Sequence, residues 1–271
     1  MSLAAVARKD FRETVRSRGM IALVVLFSLL VAAFAYAVRP TGESEQFATE
    51  LLLSAFVGRF LVTTLIPLVG VVVGYNAVSG ERESGSLKLL LSLPHSRADV
   101  VLGKVAGRGA ALALAVFAGF LLPALVLIAA PVVFNAGAFL GYTVFAAALG
   151  VVFVAISVGC SAAFSTQRRA LIGGVGVYVL FVLLWGPLTG QLVGAVGPAL
   201  DALPVSATQV DVFLRASNPT TAVEALSRAF LAERLFSGET ANQQLSAAAM
   251  LVFWTLAPPL AGLLKFDAAD L

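Results

Sequence analysis

The side chains that most often carry chemistry are scarce in this 271-residue chain, which has one histidine, His95, and one cysteine, Cys160. A metal centre built on His and Cys needs three or four such ligands. A Ser–His nucleophile needs a histidine at the depth of its serine, and His95 lies in a polar stretch just after Pro94. Cys160 falls in an apolar run and reads as a small packed residue. The only Gly-Lys pair, Gly103-Lys104, is followed by Val105, so the chain has no phosphate-cradling G-x-x-x-x-G-K-[ST] loop, and it has no G-x-G-x-x-G. The sequence therefore reads as a non-enzyme that holds no cofactor of its own.

One segment does carry a functional pattern. In Gly80-Glu81-Arg82-Glu83-Ser84-Gly85-Ser86-Leu87-Lys88-Leu89-Leu90-Leu91-Ser92-Leu93-Pro94, residues Leu87, Leu90 and Leu91 fall at i, i+3, i+4. They would share one face of a helix too short to cross a membrane, ended by Pro94. Ser96 and Asp99 then have the spacing of a capping box, starting a helix that runs on through Lys104 and Arg108. A short helix of this kind, tied at both ends to longer ones, is a docking bar: a partner pushing on it would tilt both neighbours.

Those neighbours are apolar. The chain is 59% hydrophobic and 12% charged with a mean hydropathy of +0.96, whereas soluble domains carry about 25% charged residues. The composition excludes a disordered chain and a disulfide scaffold, and a formal charge of +3 is too small to suggest a nucleic-acid partner. Six runs can cross the hydrocarbon, which takes about 20 residues each: 19–38, 60–79, 109–130, 137–165, 170–190 and 245–264. The first is too long for a signal-peptide core and reads as a retained span. The expected fold is an all-α integral membrane protein with six transmembrane helices, organised as one transmembrane domain over 1–271. Around the spans lie an amphipathic interfacial helix over 2–18, the docking segment over 80–94 and a helical extracytoplasmic insertion over 191–244. In the first of these Leu3, Val6, Ala7, Phe11 and Val15 share a face, and Arg8, Lys9, Arg12 and Arg16 lie opposite, facing lipid headgroups. In the insertion, Asn218 and Pro219 announce a helix, Glu224 and Arg228 are spaced to pair, and Gly238 is its stop.

Loop charge sets the orientation. Six spans put both termini on one side, and that side holds 13 of the 18 Lys and Arg residues against seven acids. The other side holds five bases against eight acids. The positive-inside rule places both termini in the cytoplasm of a multi-pass plasma-membrane protein. The span interiors are almost free of ionisable groups, unlike those of an ion-coupled carrier, with Thr63, Thr64, Tyr75, Asn76, Ser157 and Ser161 as their main polar residues. Asn76 reads as a helix-packing group, and Arg59 and the Arg97–Lys104 pair as headgroup-level anchors. Three G-x-x-x-G pairs, at 70/74, 137/141 and 190/194, allow close helix packing within one chain or between two.

The run Asn76, Glu81-Arg82-Glu83-x-Gly85-Ser86-Leu87, Leu90-Leu91-x-x-Pro94-x-x-Arg97 and Val101-x-Gly103-Lys104 resembles the membrane subunit of type-2 ABC transporters. The start, Lys9-Asp10-Phe11 to Arg16-Ser17-Arg18, is similar to that family's elbow helix, and Lys265-Phe266-Asp267-x-x-Asp270-Leu271 fits its ending. The nearest likeness is to the branch containing the permease of nitrous oxide reductase maturation. The resemblance implies that 80–94 is a coupling helix on which Glu81, Arg82, Glu83, Gly85, Leu87, Leu90 and Leu91 dock a separate cytoplasmic ATPase. It also implies a dimer, with ATP and magnesium held by the ATPase. Two alternatives remain open: a mechanical transmitter that passes ATP-driven motion to an extracytoplasmic protein through 191–244, and an ion-coupled secondary transporter.

Overall fold

The computed structural model describes residues 3–37, 53, 62–87, 96–129, 134–200 and 206–268. Among these the regular structure is entirely helical, and six helical stretches are long and apolar enough to cross a membrane: Arg18–Ala37, Val62–Glu83, Arg97–Ala129, Ala136–Ala163, Gln167–Val196 and Gly238–Asp267. They are called spans 1 to 6, and each of the six expected runs overlaps one of them. In chain order the helices are α1 (Leu3–Val15), α2 (Arg18–Ala37), α3 (Ile66–Gly74), α4 (Ser79–Glu83), α5 (Arg97–Ala129) and α6 (Ala136–Ala163). There follow α7 (Gln167–Tyr178), a π-helical turn (Val179–Leu184), α8 (Trp185–Leu200), α9 (Ala207–Ser217), α10 (Pro219–Leu231) and α11 (Ala241–Asp267). The bounds shift by a few residues where polar caps, invisible to a hydropathy count, set them. Ser96 and Asp99 close the expected capping box at the start of α5, with Ser96 Oγ donating to Asp99 Oδ2 at 2.7 Å and Asp99 N donating to Ser96 Oγ at 3.0 Å.

Span 4 is the axis of the bundle. Its Leu149, Phe153, Val154, Ala155 and Val158 have no exposed surface, and spans 2, 3, 5 and 6 all pack on it. Glycine makes the closest approaches possible. A Cβ on Gly74 would lie 2.6 Å from Ser157 Cβ, and one on Gly70 would lie 2.8 Å from Phe153 Cβ, so the 70/74 pair is spent inside the chain on span 4. At the other side of span 4, a Cβ on Gly159 would lie 2.4 Å from Pro258 O, and one on Gly262 would lie 2.3 Å from Gly159 O. Spans 4 and 6 thus touch backbone to backbone beside the paired prolines 258 and 259. Gly141 leaves room for Phe230 of α10, whereas a Cβ on Gly190 or Gly194 would meet nothing within 4 Å. The three pairs therefore have three different uses.

Span 2 is interrupted by a turn at 75–78, which strands backbone groups that lipid could not satisfy. Span 4 supplies one answer: Ser161 Oγ accepts from the N–H of Val78 at 3.0 Å and of Ser79 at 3.1 Å. Ser157 Oγ donates to Val71 O at 2.9 Å. The two serines that the sequence marks only as modest midspan polar groups hold the break open.

The insertion between spans 5 and 6 does more than sit on the helix ends. Trp185 Nε1 donates to Leu214 O at 2.9 Å and Trp254 Nε1 to Ser217 O at 2.8 Å, while Asn218 Nδ2 donates to Phe181 O at 2.7 Å. Both tryptophans of the chain thus satisfy carbonyls at the end of α9. Phe181 and Trp254 lie about 20 Å along their spans from Gln167 and Asp267 respectively, at 1.5 Å per residue. The α9–α10 corner therefore reaches within the ~30 Å hydrocarbon thickness, and Asn218 there is buried. Asn218 caps α10 as expected, through Thr220 N at 2.8 Å, and Glu224 pairs with Arg228. The helix stops at Leu231, before Gly238. Glu233 and Phe236 take positive φ there, in a turn held by the Gln244 side chain, which donates to Arg234 O and accepts from Phe236 N.

A pair of alanine variants tests this packing. Gly74→Ala, forced against Ser157 and Val154 O, should cost about 1–3 kcal/mol. Gly176→Ala, with open space around it, should be neutral or stabilising by up to about 1 kcal/mol. Thermal unfolding in detergent, followed by tryptophan fluorescence, reads the difference.

Candidate coupling junction

At the end of the bundle that carries both chain termini, α1 lies across the first half of α5. The contact is close because α5 presents Gly103 and Gly107: a Cβ on the first would lie 2.8 Å from Val6 Cβ, and one on the second 2.4 Å from Ala7 O. Leu3, Val6, Ala7 and Asp10 form a stripe at i, i+3, i+4, i+7. The stripe that docks α1 on α5 therefore carries one carboxylate.

That carboxylate organises the junction. Asp10 and Lys104 are 2% and 1% exposed. Lys104 Nζ donates to Asp10 Oδ1 at 3.2 Å and to Glu81 Oε1 at 2.8 Å. Arg108, one turn further along α5, donates through Nε to Asp10 Oδ2 at 2.9 Å and through Nη1 to Val73 O at 2.6 Å and Asn76 Oδ1 at 2.7 Å. Lys9 Nζ adds an outer contact to Glu81 Oε1 at 3.6 Å. Two acids, the buried Lys104 and the half-buried Arg108 join α1, the end of span 2 and the start of span 3, and Arg108 also satisfies the carbonyl of Val73 beside the span 2 break. Burial makes each member depend on the others, because a buried charge stripped of its partner is far costlier than a broken surface pair.

Beside this node, Arg82 and Arg97 lie over the ring of Phe266, at 5.1 and 5.0 Å from its centroid. Arg82 Nη1 donates to Phe164 O at 3.4 Å, and Arg97 donates to Phe266 O. Glu83 accepts from Gln167 N at 2.9 Å and Gln167 Nε2 at 2.8 Å, tying the end of span 2 to the start of span 5. Among the described residues, the buried atoms Glu81 Oε2 and Arg82 Nε and Nη2 find no partner.

The docking segment differs from a single bar over 80–94. Glu81, Arg82 and Glu83 belong to α4, the last turn of span 2; the helix breaks at Ser84, and Gly85 turns the chain with φ +75. A glycine takes that conformation without the Cβ clash other residues suffer. Leu87, expected to face a partner, is 1% exposed and belongs to the same apolar cluster as Val78, Val100 and Phe266. It closes the core instead, because the turn at Gly85 aims it inward. Leu90 and Leu91, like His95 and Arg59, lie outside the described residues. Lys104 is not free to reach headgroups but buried inside the ionic node, since α1 covers it. Arg8, Lys9 and Arg12 on the outer face of α1, and Arg16 just after it, are all exposed. Asp10 and Arg108 were missed as site residues. Their signal was an acid in register with an apolar stripe, opposite a Lys–Arg pair at i, i+4 beside two glycines.

The family model described as ABC-2 family transporter protein matches residues 4–271. The chain belongs to this family and is a multi-pass membrane protein. Among curated proteins it is similar to the "Probable ABC transporter permease protein NosY" of Pseudomonas aeruginosa, 35% identical over 191 residues, and to the protein of the same name from Stutzerimonas stutzeri, 32% identical over 184 residues. Each alignment covers 66% of this chain and 66% of the relative.

Lys104→Ala should cost about 3–5 kcal/mol, the scale for orphaning a buried ion. The double variant Asp10→Asn with Lys104→Met should cost less than Lys104→Ala alone, because the buried carboxylate of Asp10 is then gone and the more exposed Glu81 keeps Lys9. Thermal unfolding of the purified variants in detergent gives both values.

Proposed function

We propose that this chain works as one of two permease subunits in an ATP-driven transporter, coupled to a separate cytoplasmic ATPase that binds the ATP and magnesium. Both termini and the 80–94 segment face the cytoplasm in this reading, in keeping with the excess of Lys and Arg on that side. The observation that carries it is the buried Asp10–Lys104–Glu81 contact with Arg108. The end of span 2, α1 and span 3 are joined by charges that cannot separate cheaply, so a push on the segment after Glu83 moves three elements together. In this reading the segment from Gly85 to Pro94 is the docking element, offering Leu90 and Leu91 to the partner, with Glu83 at its entrance and Leu87 as its anchor to the bundle. A helix seated in a groove of the ATPase is the fitting mode. The uncovered glycines 190 and 194, on a span with Leu183, Leu184, Leu188 and Leu192 exposed, support span 5 as part of the subunit interface.

Leu90→Asp combined with Leu91→Asp should abolish co-purification of the ATPase while the chain still inserts and unfolds at its usual temperature. Retained ATPase association in that variant refutes the docking assignment.

A second reading, transmission of motion to an extracytoplasmic protein, is favoured by the clamp of Trp185, Trp254 and Asn218 on the α9–α10 corner, which makes the insertion move with spans 5 and 6. Trp185→Phe with Trp254→Phe removes both indole donors and keeps the rings. If the insertion is the output, ATPase stimulation should persist while the downstream activity falls at least several-fold; if cargo passes through the bundle, transport should persist.

A further inference from the structure

A cavity of about 260 Å³ opens where α1, α2, span 2 and span 3 meet, lined by Asp10, Glu13, Thr14, Ser17, Asn76 and Arg108. Its inner wall, Met20 and Leu23, is also the mouth of an apolar groove that continues along Phe27, Ile66, Val69 and Leu112. Span 1 leans on span 3 and span 2 on span 4, and among the described residues no comparable contact joins spans 1 and 2, so groove and cavity form one crevice that is polar at the terminal end and oily beyond it. The polar part lies where α1 turns into span 1, at the depth of lipid headgroups. The volume is several times the ~30 Å³ of a water molecule.

The charges lining this cavity are of both signs. Arg108 uses Nε and Nη1 on Asp10, Val73 O and Asn76, and none of the described residues takes its Nη2. Ser17 Oγ accepts from Met20 N at 3.1 Å and keeps its own proton to donate, as Thr14 does across the cavity. Glu13 is exposed, with Lys9 at 4.0 Å as its ion-pair partner. A free guanidinium nitrogen and two hydroxyls suit a phosphodiester; a carboxylate at the rim suits a cation joined to it. A purely anionic headgroup would meet Glu13, and a quaternary ammonium could not donate a hydrogen bond to it.

We propose that this crevice binds a glycerophospholipid with an ethanolamine headgroup. The phosphate sits against Arg108 Nη2, Thr14 and Ser17, the ammonium against Glu13, and one acyl chain follows the groove past Met20 and Phe27. The lipid wedges between spans 1 and 2 next to the ionic node and props the crevice open. This proposal is independent of the ATPase reading.

Native mass spectrometry of the full chain in detergent, given matched phosphatidylethanolamine, phosphatidylglycerol and phosphatidylcholine, tests it. The ethanolamine lipid should be retained preferentially, and Glu13→Gln should lower its retention about threefold, the scale of a partly exposed ion pair. Met20→Trp, which blocks the neck between cavity and groove, should lower it further. Glu13 is on the surface, so its variant folds even if Met20→Trp does not. Equal retention of all three lipids, a preference for phosphatidylglycerol, or no response to Glu13→Gln would overturn the proposal. So would free phosphoethanolamine competing as well as the intact lipid, since the groove would then contribute nothing.

Discussion

Asp10 and Lys104 are a pair of full charges buried in a molecule that otherwise avoids them. Such a pair is held only by good geometry and by further partners, and here Glu81 and Arg108 supply them. The rest of the terminal end follows from that requirement. Gly103 and Gly107 must be glycine for α1 to come close enough to deliver Asp10. Asn76 and the Val73 carbonyl must face Arg108, which fixes where span 2 can break. A bundle of leucine and valine against lipid has little to set its register, since lipid is as apolar as the side chains. The ionic node sets it.

The far half of the bundle solves a related problem with neutral donors. The α9–α10 corner brings irregular backbone between spans 5 and 6, where unsatisfied carbonyls are costly, and the only two indoles of the chain cover two of them. Phe181, 4.9 Å from the Trp254 ring and 5.1 Å from that of Trp185, packs the same corner, and its carbonyl receives Asn218. The π-helical turn at Val179–Leu184 surrounds that carbonyl; such turns often mark functional positions inside helices.

The six spans, α1, the start of α5 and the Asn218 cap were legible because each rests on local pattern: apolar length, amphipathic period or a capping pair. What could not be read depends on which helices meet. Ser157 and Ser161 look alike in sequence, yet one braces α3 and the other replaces missing partners at the break in span 2. Leu87, Leu90 and Leu91 share a face by spacing, but spacing does not say what that face meets, and the turn at Gly85 directs Leu87 into the core. The same holds for the glycine pairs. Their spacing is visible, but whether a pair receives span 4, Phe230 or open surroundings is decided by topology. The family resemblance covers nearly the whole chain and points to the segment after span 2, but it does not reveal the carboxylate of α1 that binds Lys104 and Arg108 of span 3.

Gly159, Pro258 and Gly262 bring two main chains so near that no side chain intervenes to act as a bearing. Sliding or rolling there would drive carbonyl oxygens into neighbouring backbone, so spans 4 and 6 have to travel as a single rigid keel. Whatever rearrangement accompanies work must be taken up by the rods arranged around it, of which span 1, resting mainly on span 3, is the least encumbered.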